Sequence, residues 1–425
     1  MAARLMTENR EVFRQRWAPS LDVLPHADQD PPFSFTSLPP ERLLVVDDRV
    51  PNRDRGSGDP RMALLLRELR TCWPEMAVTF LARDATRARH YGVDLADRGI
   101  EVVWGVADLQ TWFRSRRGLY STVLVSRPVN FVLMADLIDE TQPQALRVYD
   151  AESLFFRRLE QQLVVATEAD RDAWQLELKR TRLDEVAAMC WADVVLAVSD
   201  DTAEVARSIA PAKPVFVIGH GVDLHRRVPD FDERRDAIFY GGFMAGPGGP
   251  NEDAVVIAVD EVLPALRRMV PDVELRIVGA DPTPTVEALA SAYVDVVGQV
   301  TEPWQQLSRA RVHLSPLRFG AGLKLRFVDT MAAGLPFVTT SVGAQDLGLD
   351  ERLTRLLVHD HPRRQAELAA DLYEDRALWT EVSQSLHALA TARFSPEAFR
   401  ESLLVAGVDM GFVPPAPLRT RQRAG

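Results

Sequence analysis

Short apolar runs recur along this chain at intervals that leave room for one helix between neighbours, and that alternation constrains the fold most. Arg42-Leu-Leu-Val-Val46 has no polar alternation after its arginine, the pattern of a strand buried on both faces of a parallel sheet. Runs of the same kind lie at 77–81, 101–104, 122–125, 146–149, 194–197 and 215–218. Helical patterns separate most of them, among them 61–70 and a long stretch over 151–191. Strand and helix in turn predict βαβ units and a doubly wound α/β sheet.

A charged stretch over 223–236 interrupts the pattern and reads as an interdomain linker. Alternation resumes with strands expected at 237–240, 273–278, 294–297, 312–315, 337–339 and 356–358, and helices such as 252–269 and 325–333 between them. A chain of 425 residues fits two domains of about 150–200 residues each. The expected organisation is a helical and proline-rich extension over 1–40, with its helix at 8–24 and a connector ending at Pro39-Pro40. A Rossmann-like domain over 41–222 follows, then the linker, a second Rossmann-like domain over 237–393, and a C-terminal helix and tail over 394–425.

The formal charge of −11 speaks against the basic face that nonspecific nucleic-acid binding requires. No apolar run approaches the ~20 residues of a membrane-spanning helix, and the N-terminus lacks the apolar segment of a secretory signal. Cys72 and Cys190 are too few and too far apart for a zinc site or a disulfide framework. The expectation is a cytoplasmic protein with no nucleic-acid partner.

Chemistry concentrates in Arg318-Phe-Gly-Ala-Gly-Leu-Lys-Leu-Arg-Phe-Val-Asp-Thr-Met-Ala-Ala-Gly-Leu-Pro336. The chain has three lysines, Lys179, Lys213 and Lys324, against 47 arginines. One of those lysines directly follows a glycine loop, where a compact ammonium on a flexible stem fits between phosphate oxygens better than a planar fork. Gly320, Ala321, Gly322 and Leu323 bring backbone N–H groups close to a ligand, and the helix that follows aims its positive end the same way. The bland alternative is an ordinary turn and a solvated lysine at a helix start. A second glycine loop, Gly56-Ser57-Gly58, follows the first strand of the other domain. Both loops fall at carboxyl ends of strands, where ligands bind in such sheets, so the two together favour phosphate.

Other candidates also end strands. Asp150 and Glu152 suit the orientation of hydroxyl groups, against helix capping. Arg127 suits substrate contact, against a surface ion pair. His220, at the hinge, suits donor contact, against a structural role. Asp230-Phe-Asp232 spells a metal-binding pattern but sits in the charged stretch, and is read as solvated linker.

These residues together resemble a GT-B glycosyltransferase, similar to glycosyltransferase family 4. The resemblance covers about 42–408 and is strongest over 237–345. It is carried by Tyr240-Gly-Gly-Phe-Met, Pro250-Asn-Glu-Asp-Ala254, Leu275-Arg-Ile-Val-Gly279, Leu314-Ser-Pro-Leu, the glycine loop through Lys324, and Asp329-Thr-Met-Ala-Ala-Gly-Leu-Pro336. In the first half Leu44-Val-Val-Asp-Asp-Arg-Val-Pro51 and Tyr149-Asp-Ala-Glu152 carry it. The resemblance implies two Rossmann-like domains facing across a cleft, and retaining transfer from a nucleotide-diphosphate sugar with no metal and no cofactor. It implies a glycan, lipid-linked or small-molecule acceptor, polysaccharide or glycoconjugate synthesis, peripheral membrane association, and association with other polysaccharide-synthesis enzymes. Lys324 would neutralise the leaving diphosphate, with Arg127, Asp150 and Glu152 as further catalytic candidates. Gly56, Ser57, Gly58, Gly242, Gly320, Ala321, Gly322, Leu323, Arg326, Asp329 and His220 complete the expected donor site.

The chain departs from that pattern. The first member of the family's glutamate pair falls at Ala321, and the second is Asp329, one methylene shorter. The arginine and lysine expected after the first strand of the second domain are replaced by Gly242-Phe-Met-Ala. Two function classes follow: a sugar transferase, or a catalytically silent GT-B module that binds a nucleotide or glycan. Turnover of a donor separates them. A nicotinamide dehydrogenase is disfavoured because Gly56-Ser-Gly58-Asp-Pro-Arg61 lacks the third glycine of its fingerprint. A sugar-nucleotide epimerase would carry more acidic and histidine groups in the cleft.

Overall fold

The computed structural model describes residues 11–12, 41–52, 58–86, 88–165, 168–222, 224, 227–243, 246, 248–320 and 322–413. The expected helix over 8–24 lies outside them except for helical residues 11–12, as do Gly56, Ser57 and Ala321.

The chain forms two all-parallel sheets. The first takes β1 (Arg42–Arg49), β2 (Ala77–Asp84), β3 (Ile100–Trp104), β4 (Thr122–Ser126), β5 (Leu146–Ala151), β6 (Val194–Ala197) and β7 (Val215–Val217) in the order β3-β2-β1-β4-β5-β6-β7. The second takes β8 (Ala237–Tyr240), β9 (Leu275–Val278), β10 (Val294–Gly298), β11 (Val312–Ser315) and β12 (Phe337–Thr339) in the order β10-β9-β8-β11-β12. Strand order reverses between β1 and β4 in one sheet and between β8 and β11 in the other. Those are the two points where a doubly wound sheet opens a ligand crevice at its carboxyl edge.

Each sheet has its own core. Leu44, Val45 and Val46 are shut off from solvent on both faces of β1, and Phe239, Phe327 and Phe337 fill the second domain. The last helix, Pro396–Asp409, crosses back and packs Phe399, Leu403 and Ala406 into the first domain's core beside Trp73. A side chain at Gly407 would meet the Trp73 ring 2.3 Å away, so that crossing needs glycine.

Four sequence expectations are corrected. The segment 356–358 is not a strand: Glu351–Leu357 is helical, and Val358 makes only an isolated bridge to Thr339. The long helix over 151–191 is broken into Phe155–Val165 and Glu168–Trp191. The Glu185 carboxylate returns to accept the N–H groups of Phe155 and Phe156 at 3.0 and 2.8 Å, capping the first helix from the second. The helix over 252–269 runs as Pro250–Ile257, a π turn Ala258–Val262 and Leu263–Arg267. Pro264 has no N–H to continue the ladder, so the turn widens before it. The charged linker is not simply solvated. Arg234 is fully buried, donates to the carbonyls of Pro229, Leu307, Ala310 and Ala333, and lies over Trp379. Asp230 and Asp232 are exposed on the turn Phe231–Glu233, and Asp232 pairs with Arg376 at 2.7 Å.

Candidate functional site

The loop after β11 turns through Gly320 and Gly322, at φ +129° and +68°, conformations that side-chain-bearing residues rarely adopt. It delivers Lys324 to the start of the helix Leu325–Ala332. This lysine is not the solvated helix-start residue of the bland reading. It is 8 % exposed, and its Nζ donates to the Val342 carbonyl at 2.5 Å and to Gln345 Oε1 at 3.1 Å. Burial lowers its pKa to about 7, with Arg326 adding to the drop and Asp346 opposing it. Leu323 packs against the second core and anchors the loop.

Arg326 answers the cations missing after β8. Its guanidinium lies against Gly241, where a Cβ would come 2.9 Å from Nη1. Nη2 donates to Asn251 Oδ1, and the Asn251 amide donates to the Gly242 carbonyl. Among the described residues Nη1 is buried with no hydrogen-bond partner, and burial pushes the Arg326 pKa down to about 10. A buried cation with an idle donor is costly unless an anion joins it. The helix Leu325–Ala332 thus carries a guanidinium to the carboxyl end of β8. One turn on, Asp329 Oδ2 accepts from the Tyr240 hydroxyl at 3.1 Å, and burial raises its pKa to about 6.

The first domain presents the opposite charge. At the ends of β1, β4 and β5, Asp47, Asp48, Asp59, Asp150 and Glu152 gather around Arg49, Arg61 and Arg127. Arg127 reaches Asp47 at 2.8 Å, Asp48 at 3.4 Å and Asp59 at 3.6 Å. It holds φ +73° just before Pro128, a strained setting of the kind that collects at functional sites. Burial raises Asp47 to about 7 against the pull of Arg127, and raises Glu152 in the same way.

Three of the expected site residues take other places. Asp150 is not free to orient a hydroxyl: Oδ2 is paired with Arg61 at 2.9 Å, and neither side chain has any exposed surface. His220 is buried, and burial with the nearby Arg61 lowers its pKa to about 3, which favours the neutral imidazole. Gly58 opens the helix Gly58–Cys72, and a Cβ there would meet Glu152 Oε1 at 2.3 Å, so a carboxylate sits directly against this glycine.

Asp47, Asp59, Arg61, Tyr240, Asn251 and Gln345 were not named as site residues from the sequence. Asp47, Tyr240 and Asn251 lie in motifs that carry the resemblance, and Asp47 was findable, since two aspartates ending the first buried strand are unusual in an apolar run. Asp59, Arg61 and Gln345 are brought in by tertiary contacts. The domains meet beside the glycine loop, where Gly320 N–H donates to Gln161 Oε1 at 2.9 Å, and Arg393 pairs with Asp200 at 3.1 Å.

Residues 235–375 match the family described as glycosyl transferases group 1. That match covers a third of the chain, from β8 through the second helix after β12, and includes Lys324, Arg326 and Asp329. No curated protein matches the chain. Among solved structures, sucrose-phosphate synthase from Thermosynechococcus elongatus superposes with a TM-score of 0.64 at 16 % identity, covering 87 % of this chain and 99 % of that one. Anabaena HepE in complex with UDP and glucose gives 0.62 at 14 % identity, covering 87 % and 100 %. TarM of S. aureus gives 0.61 with 9 % identity, covering 88 % and 99 %. At these identities the likenesses establish the GT-B fold of this glycosyltransferase. Among the described residues no helix is long and apolar enough to cross a membrane.

Proposed function

We propose that this glycosyltransferase carries out retaining transfer from a nucleotide-diphosphate sugar to a hydroxyl-bearing acceptor, a glycan, lipid-linked or small molecule. One observation carries the reading. Lys324 and Arg326 are cations in the wall of the second domain that form no ion pair with a carboxylate among the described residues. A diphosphate supplies the missing anion. Its negative charge grows as the bond to the sugar breaks, so both cations bind the transition state more strongly than the ground state. The acceptor O–H bond and the sugar C1–O bond to phosphorus break; the new C1–O bond forms, and the departing diphosphate oxygen takes the proton. Retention follows when attack comes on the face the diphosphate leaves.

Asp329 with Tyr240 supports a floor for the ribose hydroxyls. The acidic strand ends of the first domain suit an acceptor rich in hydroxyls, which carboxylates accept from, and disfavour an anionic one. UDP bound to the HepE structure makes UDP-sugars the first donors to test. With Ala321 in place of the first glutamate, binding without turnover is the competing reading, that of a silent module.

A thermal-shift screen over UDP-, GDP- and dTDP-sugars, followed by product analysis with the hits, tests both readings. A donor at 100-fold its Kd stabilises by about 2.7 kcal/mol. Stabilisation with neither hydrolysis nor transfer favours the module, and no stabilisation by any nucleotide sugar overturns the donor site.

A further inference from the structure

Arg127 and Glu152 leave the first sheet side by side. Ser126 of β4 stands opposite Asp150 of β5, and the two residues follow one and two positions later, at the carboxyl edge where such sheets bind ligands. The carboxylates around them are spent within the protein, with one exception. Asp47 accepts from Arg127 Nε at 2.8 Å, Asp48 from Arg83 at 3.2 Å, Asp59 from Arg49 at 2.9 Å and Asp150 from Arg61 at 2.9 Å. Glu152 is half-buried, and among the described residues its carboxylate has neither a hydrogen bond nor an ion pair. Arg127 has donor capacity left as well. Its Nη2 stands 3.6 Å from Asp59, beyond hydrogen-bond reach.

The unspent acceptor and the unspent donor share one neighbour. A Cβ on Gly58 would lie 2.3 Å from Glu152 Oε1 and 3.1 Å from Arg127 Nη2. The absence of a side chain at Gly58 therefore lets a carboxylate and a guanidinium border the same spot without being used up on each other. Arg127 is held there at φ +73°, a costly setting for a residue with a side chain. A largely desolvated carboxylate with no donor is costly too, unless a ligand supplies one. Hydroxyl groups answer both needs, since one can donate to the carboxylate while its neighbour's oxygen accepts from the guanidinium. An anionic group would be repelled by Glu152, and an ammonium by Arg127.

We propose that Glu152 and Arg127 bind the acceptor, gripping two neighbouring hydroxyls of a neutral sugar or other polyol: Glu152 accepts from one and Arg127 Nη2 donates to the other. The proposal rests on the transferase reading and deepens it by naming the acceptor class, an adjacent diol instead of a lone alcohol. In that reaction the departing diphosphate oxygen takes the acceptor's proton, so Glu152 orients the acceptor and is not the base. Gly58 then serves the acceptor and not the donor phosphates.

Methyl glycosides of glucose, galactose and mannose, together with myo-inositol, are the probes, titrated into the full chain by saturation-transfer NMR and calorimetry with and without saturating UDP. At least one is expected to bind, and its monodeoxy analogues are expected to single out two adjacent hydroxyls whose loss weakens binding. Glu152→Gln keeps the side chain's shape. It is expected to weaken that probe roughly ten- to a hundredfold, as for a hydrogen bond to a charged group. It is also expected to erase the penalty of deoxygenation at one of the two positions and keep it at the other, with UDP affinity within twofold of the parent. A structural carboxylate would alter the melt without altering selectivity for one hydroxyl. Glu152→Asp is expected to recover part of the affinity. If Glu152→Gln does not fold, Gly58→Ala decides, because its Cβ displaces the carboxylate and should erase the same selectivity. A parent protein that binds none of the probes, or selectivity unchanged in the variants, overturns the proposal. Sugar binding that depends on Glu152 in a chain that does not bind UDP leaves the diol grip standing and overturns the donor site. UDP binding with no sugar bound does the reverse.

Discussion

Gln161 and Gly320 touch across the domain boundary: the loop's backbone N–H, the kind a phosphate oxygen would take, donates to the glutamine's Oε1 at 2.9 Å. Lys324 and Arg326 are likewise held by amide oxygens, of Gln345 and Asn251. Neutral amides thus engage three of the donors a diphosphate would use. Gln161→Ala frees the Gly320 N–H and is expected to tighten UDP binding two- to tenfold, since one neutral hydrogen bond nets about 0.5–1.5 kcal/mol. Isothermal titration measures this. Unchanged or weaker binding removes Gln161 as a competitor.

The Asp150–Arg61 pair predicts a stability phenotype. Both side chains are fully buried, and Arg61 also donates to the carbonyls of Ile218 and Gly219 at the hinge. Removing one partner of such a pair costs about 3–5 kcal/mol by stranding the other charge. Asp150→Asn and Arg61→Met are expected to melt well below the parent, while the molecules that remain folded keep their kcat within a few-fold. A variant that melts normally but loses turnover would return Asp150 to the substrate.

The fold was legible because both sheets are parallel and central strands such as β1, β4 and β6 are buried on both faces, so they are written as nearly continuous apolar runs. Where the reading failed, a contact distant in sequence decided: Glu185 capping the helix at Phe155, or Arg234 drawn from a charged stretch into the core. The second domain's site was legible for another reason. Lys324, Arg326 and Asp329 sit on one glycine loop and the helix after it, so local spacing already places them together. The first domain's site is gathered from β1, β4, β5 and the helix after β1. Sequence shows Asp150 and Arg61 as strangers 89 positions apart, and nothing local says that they meet.

Chelators are expected to leave turnover largely intact. Lys324 and Arg326 already present two positive charges to the diphosphate, doing electrostatically what a divalent clamp does elsewhere. Initial rates with and without EDTA test this. Loss of activity restored by magnesium or manganese refutes metal-independent transfer.

Lys324→Ala is expected to cost roughly 2–5 kcal/mol, as for one partner of a desolvated charge pair, or about thirtyfold to several thousandfold in kcat/KM. Lys324→Arg should rescue poorly, because Val342 and Gln345 leave a pocket shaped for an ammonium. A fall of less than fivefold in a variant that melts normally would sink the diphosphate assignment.

Lys324 also predicts two pH dependences of opposite sign. Its ordinary value is 10.5, and burial lowers it to about 7 in the fold. Between those values the unfolded chain binds a proton that the folded chain does not, so this group's contribution to stability rises with pH across that window and is lost as pH falls toward 7. Donor binding runs the other way. A diphosphate needs the ammonium, so affinity for the nucleotide sugar should hold below about pH 7 and weaken above it, approaching tenfold per unit once the free lysine is neutral. Lys324→Met removes the titrating group and flattens both slopes. Kd by calorimetry and unfolding free energy by urea titration, each at pH 6 to 9.5, read the two slopes independently. An affinity that does not change between pH 6 and 9 in the parent protein would mean that the lysine stays charged throughout, or that it does not meet the donor.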